Sequence, residues 1–177
     1  QLSERTEDHR AHMPEGSQRI LKITDEVFTE YLHCKYMAYL ILTGVVREPS
    51  DYEQWLRRPE EEYTAAVTRA LLDREEAYFI PSKMPITRED LTQGITTVIG
   101  THVEDESFAF AFHALQRVPG ASSLGPFHYV PVLFCGTGQS VSETQKLLLA
   151  CGALVLERLQ HVRPPSGIVI SGDAYKS

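Results

Sequence analysis

The chain has 177 residues, of which 42% are hydrophobic and 23% charged, and its formal net charge is −7. It is long enough to bury the core of one domain, and it has no apolar run that could span a bilayer, so we expect no membrane partner. The few, widely spaced cysteines indicate a reducing cytoplasm. Three widely spaced cysteines exclude a disulfide framework and a CxxC zinc site, and the negative charge excludes a surface coated for nucleic acid but not a local basic groove.

The first twenty residues are polar and lack the apolar segment of a secretory signal. We expect residues 1–20 to be weakly ordered and residues 21–177 to form one domain. Because the chain begins with Gln and ends soon after a predicted strand, we also expect it to be a fragment of a longer protein.

A helical lobe is predicted over residues 24–76. Thr24 has the character of an N-cap, and the nearly all-apolar stretch that follows predicts a helix that ends near Gly44 and is buried centrally. Residues 51–58 and 60–76 form either two helices or one helix kinked at Pro59. Their mixed Arg and Glu side chains indicate a solvated face.

An α/β core is predicted over residues 87–173. A capping box at Thr87 starts a helix, ITTVIGTHV and FAFAFHAL are strands, and the turn-rich residues 118–127 form a loop. HYVPVLF is a third strand, in which Pro131 indicates an edge position or a bulge and His128 is a surface residue. A helix over residues 142–160 and the strand GIVISGD complete an α/β fold with a mixed sheet.

Several segments together resemble a known nuclease family. YLHCKYMAYLILTG resembles the opening helix of RecB-like and CRISPR-associated exonuclease domains. HALQRVPGASSLGPFHYVPVLF, TQKLLLACGALVLERLQ and GIVISGD resemble the later half of the same domain. Over residues 21–173 the chain is thus similar to the RecB-like branch of the PD-(D/E)XK nuclease superfamily. This resemblance implies a restriction-endonuclease-like core, an α-β-β-β-α-β mixed sheet, after the N-terminal helical lobe.

The resemblance also implies where a catalytic site would lie. The family's Asp on the second core strand falls at His113, and its Glu-x-Lys falls at Leu133 and Cys135. Mg²⁺ or Mn²⁺, which such nucleases need for hydrolysis, is bound through carboxylates and water, so this set cannot hold it. Gln145 matches a family residue near the DNA backbone, and with Lys146 it either contacts DNA at a helix N-terminus or belongs to a solvated turn.

The leading hypothesis is therefore a nuclease-fold module, degenerate at its metal site, that binds DNA or acts as a scaffold beside an RNase-H-like or helicase domain. One alternative is an active nuclease whose Mg²⁺ or Mn²⁺ is held by Glu104, Asp105, Glu106 and His113, although the three acids also suit a solvated turn. Another is a protein-interaction domain. The resemblance places Cys34 at an iron–sulfur ligand position, but the other three thiolates are missing within these residues, and a buried inert thiol is favoured.

Overall fold

A six-stranded mixed β-sheet lies at the centre of the structure, a computed structural model that describes residues 21–45, 48–73, 77–79, 85–136 and 141–172. The strands are β1 (Ile23–Thr24), β2 (Ala77–Phe79), β3 (Thr97–Glu104), β4 (Phe108–Ser122), β5 (Gly125–Cys135) and β6 (Ile168–Ser171). They lie in the order β2-β3-β4-β5-β6, and β1 pairs with the start of β4. The two outer pairs, β2–β3 and β5–β6, are parallel, whereas β3, β4 and β5 are antiparallel to one another. The predicted α/β class with a mixed sheet is confirmed.

Five helices accompany the sheet in the described part of the chain: α1 (Asp25–His33), α2 (Lys35–Leu42), α3 (Asp51–Leu72), α4 (Arg88–Thr92) and α5 (Glu143–Gln160). Four of them begin at a hydroxyl side chain that accepts a backbone N–H of the first turn, namely Thr24, Ser50, Thr87 and Ser142. Such a cap satisfies one of the N–H groups that a helix start leaves unpaired. The predicted helix starts are confirmed. They could be predicted because the capping residue and the N–H group that it accepts are close in sequence.

Helices cover both faces of the sheet. On one face, Phe112 and Leu115 of β4 pack with Leu156 of α5, and α1 contacts α5 on the same side. On the other face, Val67 of α3 packs with Phe134 of β5. Each fully buried side chain of this size contributes about 1.5–3 kcal/mol relative to an exposed one, so the two apolar clusters hold the three layers together.

The side chains of β4 change face part-way along the strand. Phe110 and Phe112 belong to the cluster beside α5, whereas Ala114 belongs to the cluster beside α3. Since successive side chains of a strand alternate between faces, residues of equal parity should share a face. The alternation is therefore interrupted at His113.

Strand β3 makes the same change at the same level. Val98 and Val103 both belong to the cluster beside α5 although their positions differ in parity, and Gly100 between them has φ +68°. Gly100 lies opposite His113, and the pairing register is the same on both sides of this level. Glycine is suited to this position because a positive φ strains residues that carry a Cβ.

The apolar stretch after Thr24 forms two helices rather than one, and its predicted central burial is wrong. The chain breaks at Cys34, whose backbone is extended (φ −152°, ψ 107°) and whose thiol is exposed rather than buried. In α2 only Ala38 is buried, while Tyr36 is 66% and Tyr39 59% exposed. The reason is that α2 packs chiefly against α1 and does not lie on the sheet.

Residues 51–72 form a single helix that contains Pro59, which resolves the two alternatives for this region. Its stripe of Tyr63, Val67 and Leu71 is buried, and Arg58 and Arg69 lie exposed on the remaining surface, as expected for a solvated face. The Tyr63 hydroxyl lies 3.0 Å from the carbonyl oxygen of Gly172, to which it donates, and this bond ties α3 to the end of β6.

The predicted loop over residues 118–127 is wrong, because β4 and β5 continue to a turn of two residues, 123 and 124. Gly120 and Gly125 adopt φ values of +143° and +138° next to that turn. The continued hairpin pairs His128 with Val118, so His128 is only 9% exposed and is not a surface residue.

Pro131 does not lie on an edge strand, since β5 is paired on both sides. Backbone N–H groups point alternately to the two sides of a strand. On β5 the N–H of Phe134 points toward β4 and that of Tyr129 points away from it. Pro131 is two residues after Tyr129, so its nitrogen also points away from β4. Pairing with β6 begins only at Val132. The proline therefore removes no ladder hydrogen bond.

Some predictions fall outside the described residues: the weak order of residues 1–20, the end of the helical lobe at 74–76 and the end of the core at 173. In the described ranges, no helix has both the length and the apolar character that a membrane span requires.

Candidate functional site

A cleft of about 220 Å³ opens between α1, α5 and the adjoining parts of β4 and β5. The ladder between β4 and β5 ends at the pair Ala114–Val132, and beyond that pair the two strands no longer pair. The cleft occupies this divergence. Its lining combines a few polar groups with apolar side chains: Asp25, Thr29, Phe110, Ala111, Phe112, His113, Pro131, Val132, Leu133, Leu148 and Leu149.

His113 bridges the two diverging strands. Its Nδ1 accepts a hydrogen bond of 2.8 Å from the backbone N–H of Phe134, and the two rings lie 5.1 Å apart. Burial lowers the pKa of His113 below its usual value, although the nearby Asp25 carboxylate opposes the shift. The imidazole is thus neutral at pH 7 and carries its proton on Nε2, because Nδ1 serves as the acceptor.

Asp25 is the one carboxylate in the cleft lining, and sequence reasoning did not assign it to the site. Its Oδ1 accepts a hydrogen bond of 3.2 Å from the backbone N–H of Ala111 on β4. In the sequence it resembles an ordinary acid in the first turn of a helix. Only the pairing of Ile23 with Phe108, far away along the chain, brings this turn beside β4, so no local signal could have revealed it.

The structure brings two of the three motif positions together, since Leu133 lines the same cleft as His113. Cys135 follows at the end of β5, where burial, and secondarily the charge of Glu60, raises the pKa of its thiol. A protonated thiol is neither a nucleophile nor a metal ligand. Among the residues that the structure describes, no three His, Cys, Asp or Glu side chains form a group that could hold a metal ion.

This donor set does not fit Mg²⁺ or Mn²⁺. The cleft offers one carboxylate and one imidazole, and both already accept a backbone N–H. A hard divalent ion is held through carboxylates, substrate oxygens and water, and two ligands seldom form a stable site for a softer one. Leu133, where the family has a Glu, contributes no donor atom.

The three predicted metal-binding acids lie at the last residue of β3 and in the turn that follows it, and two of them have other partners. Glu104 forms a 2.6 Å ion pair with Lys22, whose hydrogen bond lowers the pKa of the carboxyl. Asp105 accepts hydrogen bonds from backbone N–H groups of the turn and from Arg158. Burial alone raises the pKa of Asp105, but these hydrogen bonds lower it overall. Glu106 is exposed in the same turn.

The acidic turn and His113 lie at different levels of strand β4. Glu104 lies opposite Ala109, four residues before His113 on β4. At about 3.3 Å per residue this separation is about 13 Å. Among the residues that the structure describes, none of these side chains belongs to a group of three that could hold a metal ion. The structure therefore does not bring together the ligand set that the active-nuclease alternative requires.

Gln145 and Lys146 lie at the start of α5, one turn before the cleft residues Leu148 and Leu149. Gln145 takes part in the capping box: its Oε1 accepts the N–H of Ser142 at 2.8 Å. Lys146 is exposed and pairs with Glu143 at 2.6 Å. The Gln145 side chain therefore has a structural role in the helix start, whereas an exposed ion pair such as that of Lys146 is weak and can open.

Comparison of the chain with models of known protein families gives no match, and comparison with curated proteins gives none either. Any function proposed for the chain therefore rests on the residues of the cleft and its surroundings.

Proposed function

We propose that the chain is a RecB-like nuclease-fold module that has lost its metal site and that binds rather than cleaves. The element order supports this proposal: a helix, three antiparallel strands, a long helix and a strand parallel to the third of them. This is the order expected of a restriction-endonuclease-like core. Two of its motif positions, His113 and Leu133, also line one cleft.

One observation carries the proposal. At the position of the family's metal-binding Asp, His113 uses its Nδ1 to accept the backbone N–H of Phe134. The side chain thus closes the divergence between two strands, and an Nδ1 that accepts this N–H is not available to an ion. The cleft is then a structural junction, and hydrolysis of phosphodiesters would require a metal from elsewhere.

The proposed ligand is DNA, held by the cleft mouth and the start of α5, in a longer DNA-processing protein with an RNase-H-like or helicase neighbour. A helix N-terminus presents N–H groups that favour phosphate, and Lys146 adds an exposed positive charge beside it. Because the whole chain has a net charge of −7, the contact must be local and its affinity should fall steeply with salt.

The test combines binding and cleavage in one sample. Labelled single- and double-stranded oligonucleotides are incubated with the chain in Mn²⁺, and anisotropy is followed before the strands are sized on a denaturing gel. We expect binding at low salt and uncut strands. The Lys146→Ala variant should reduce the salt slope by about 0.7–0.9, as expected for one lost phosphate contact, while Lys35→Ala on α2 should not.

If the chain cuts DNA and either Asp25→Asn or His113→Ala abolishes the cutting, the proposal that the metal site has been lost is wrong. An absence of binding at low salt would instead exclude DNA as the ligand and leave the scaffolding role.

A further inference from the structure

Helix α2 is apolar on every side but is covered on only one. Its sequence, KYMAYLIL, has a single charged residue, and such a helix is normally buried. Here Ala38 alone is buried; Met37, Leu40 and Ile41 are half-buried, and Tyr36 and Tyr39 are largely exposed. Among the residues that the structure describes, the apolar side chains of α2 are thus only partly covered, and an incompletely covered apolar surface is suited to an interaction.

A groove runs beside α2 between α1 and the start of α3. Its volume is about 440 Å³, and most of its wall is apolar. The apolar lining comes from α2 and the residues after it: Met37, Leu40, Ile41, Val45 and Pro49. Glu26 and Glu30 of α1 and Arg57 of α3 also line the groove, so its charged side chains leave one negative charge in excess.

The charges of this groove select a basic partner. Glu26 and Glu30 are one turn apart on the same face of α1, and no described residue forms an ion pair with either carboxylate. Like charges at this spacing destabilise a helix, so a cation between them would relieve a repulsion. Across residues 21–72 the sequence carries nine acidic and six basic side chains, so the surroundings also attract positive charge.

The wall of the groove also indicates the conformation of the partner. It consists of helices and their apolar side chains, with no strand edge to which an extended peptide could add its backbone hydrogen bonds. A segment that enters such a surface must satisfy its own backbone N–H and C=O groups, as a helix does.

We propose that the groove between α1, α2 and α3 binds a basic amphipathic helix of a partner protein. Apolar side chains of that helix at positions i, i+3, i+4 and i+7 lie against Met37, Leu40 and Ile41, and its Lys or Arg side chains pair with Glu26 and Glu30. The site is distinct from the cleft between β4 and β5, so it does not depend on the nuclease-fold assignment or on DNA binding.

The test uses two labelled helical peptides of about 14 residues with identical Leu positions, one flanked by Lys and the other by Glu. Anisotropy with the full 177-residue chain at low salt should show binding of the Lys peptide and at least about tenfold weaker binding of the Glu peptide. The double variant Glu26→Gln, Glu30→Gln should weaken the Lys peptide about five- to tenfold.

The control variant Glu61→Gln, Glu62→Gln removes the same charge from the exposed face of α3 and should leave binding within about twofold. Equal binding of both peptides, binding of neither, or equal effects of the two double variants would overturn the proposal. So would a concentration-dependent dimer, seen by sedimentation velocity, that Met37→Lys dissolves, because a second copy would then cover α2.

Discussion

At the scale of single residues, the carboxylate and the imidazole that line the cleft both accept hydrogen bonds from backbone N–H groups. Asp25 accepts the N–H of Ala111, and His113 accepts that of Phe134. Both N–H groups lie where β4 and β5 no longer pair; the one at Phe134 belongs to a buried residue, for which a donor without a partner costs free energy. The side chains thus replace backbone partners that the diverging strands do not provide.

Replacing His113 with Leu should destabilise the protein. The substitution leaves the Phe134 N–H without its acceptor, which costs about 1–3 kcal/mol for a buried donor. Urea unfolding should show this loss as a lower midpoint with an unchanged slope. His161→Asn is a suitable control, because His161 is exposed and has φ +54°, which Asn tolerates. Equal stability of the His113 variant and the native chain would contradict a bridging role.

The same histidine should make stability depend on pH. Because burial lowers the pKa of His113 in the folded protein, the unfolded chain takes up the proton first, near its ordinary pKa of about 6.5. The contribution is therefore complete above about pH 6.5 and is lost as the pH falls through the lower folded pKa. The free energy of unfolding should fall less steeply below pH 6.5 in His113→Leu than in the native chain, and parallel curves would refute this assignment.

At the scale of elements, the reversal of side-chain faces at Gly100 and His113 decides which residues reach which core. Without it, Phe110 and Phe112 would share a face with Ala114, on the side of α3. The alternation of FAFAFHAL predicts a strand correctly, but it gives no sign of an interruption that depends on the neighbouring strand. A positive φ at Gly100 is the backbone feature that accompanies it.

Substitution of Gly100 by Ala should destabilise the protein by about 1–2 kcal/mol, because an added Cβ disfavours a φ of +68°. Gly136→Ala is the matched control, since Gly136 has no positive φ and its added Cβ meets nothing within 4 Å. Thermal or urea midpoints of the two variants supply the comparison. Equal midpoints would show that the backbone at Gly100 does not require glycine.

Local signals account for the elements that sequence reasoning predicted well. The hydroxyl caps at Thr87 and Ser142 lie within three residues of the groups they bind, so the sequence alone reveals them. Exposure of α2 and burial of His128 depend instead on which elements lie beside them, and apolar composition or turn residues do not carry that information. The end of α1 at Cys34 likewise could not be predicted from the sequence, because no Gly or Pro lies at that position.

At the scale of the whole molecule, the class of fold was predictable and the content of the cleft was not. The order of helix and strand patterns gives the α/β class and the mixed sheet, and it brings His113 and Leu133 to one cleft. Asp25 lies in that cleft because it accepts a hydrogen bond from Ala111, which is 86 residues away in sequence. The acidic turn, in contrast, looked near the site in sequence, but Glu104 lies opposite Ala109, four residues before His113 along β4.

We infer above all that the cleft between β4 and β5 is a structural junction that holds no divalent cation. Electron paramagnetic resonance of Mn²⁺ is the sharpest test, because the signal of the hydrated ion diminishes when the ion binds protein. We expect the chain, added at equal or higher concentration, to leave the signal of free Mn²⁺ unchanged. Stoichiometric loss of that signal, restored by Asp25→Asn or by His113→Ala, would contradict this inference.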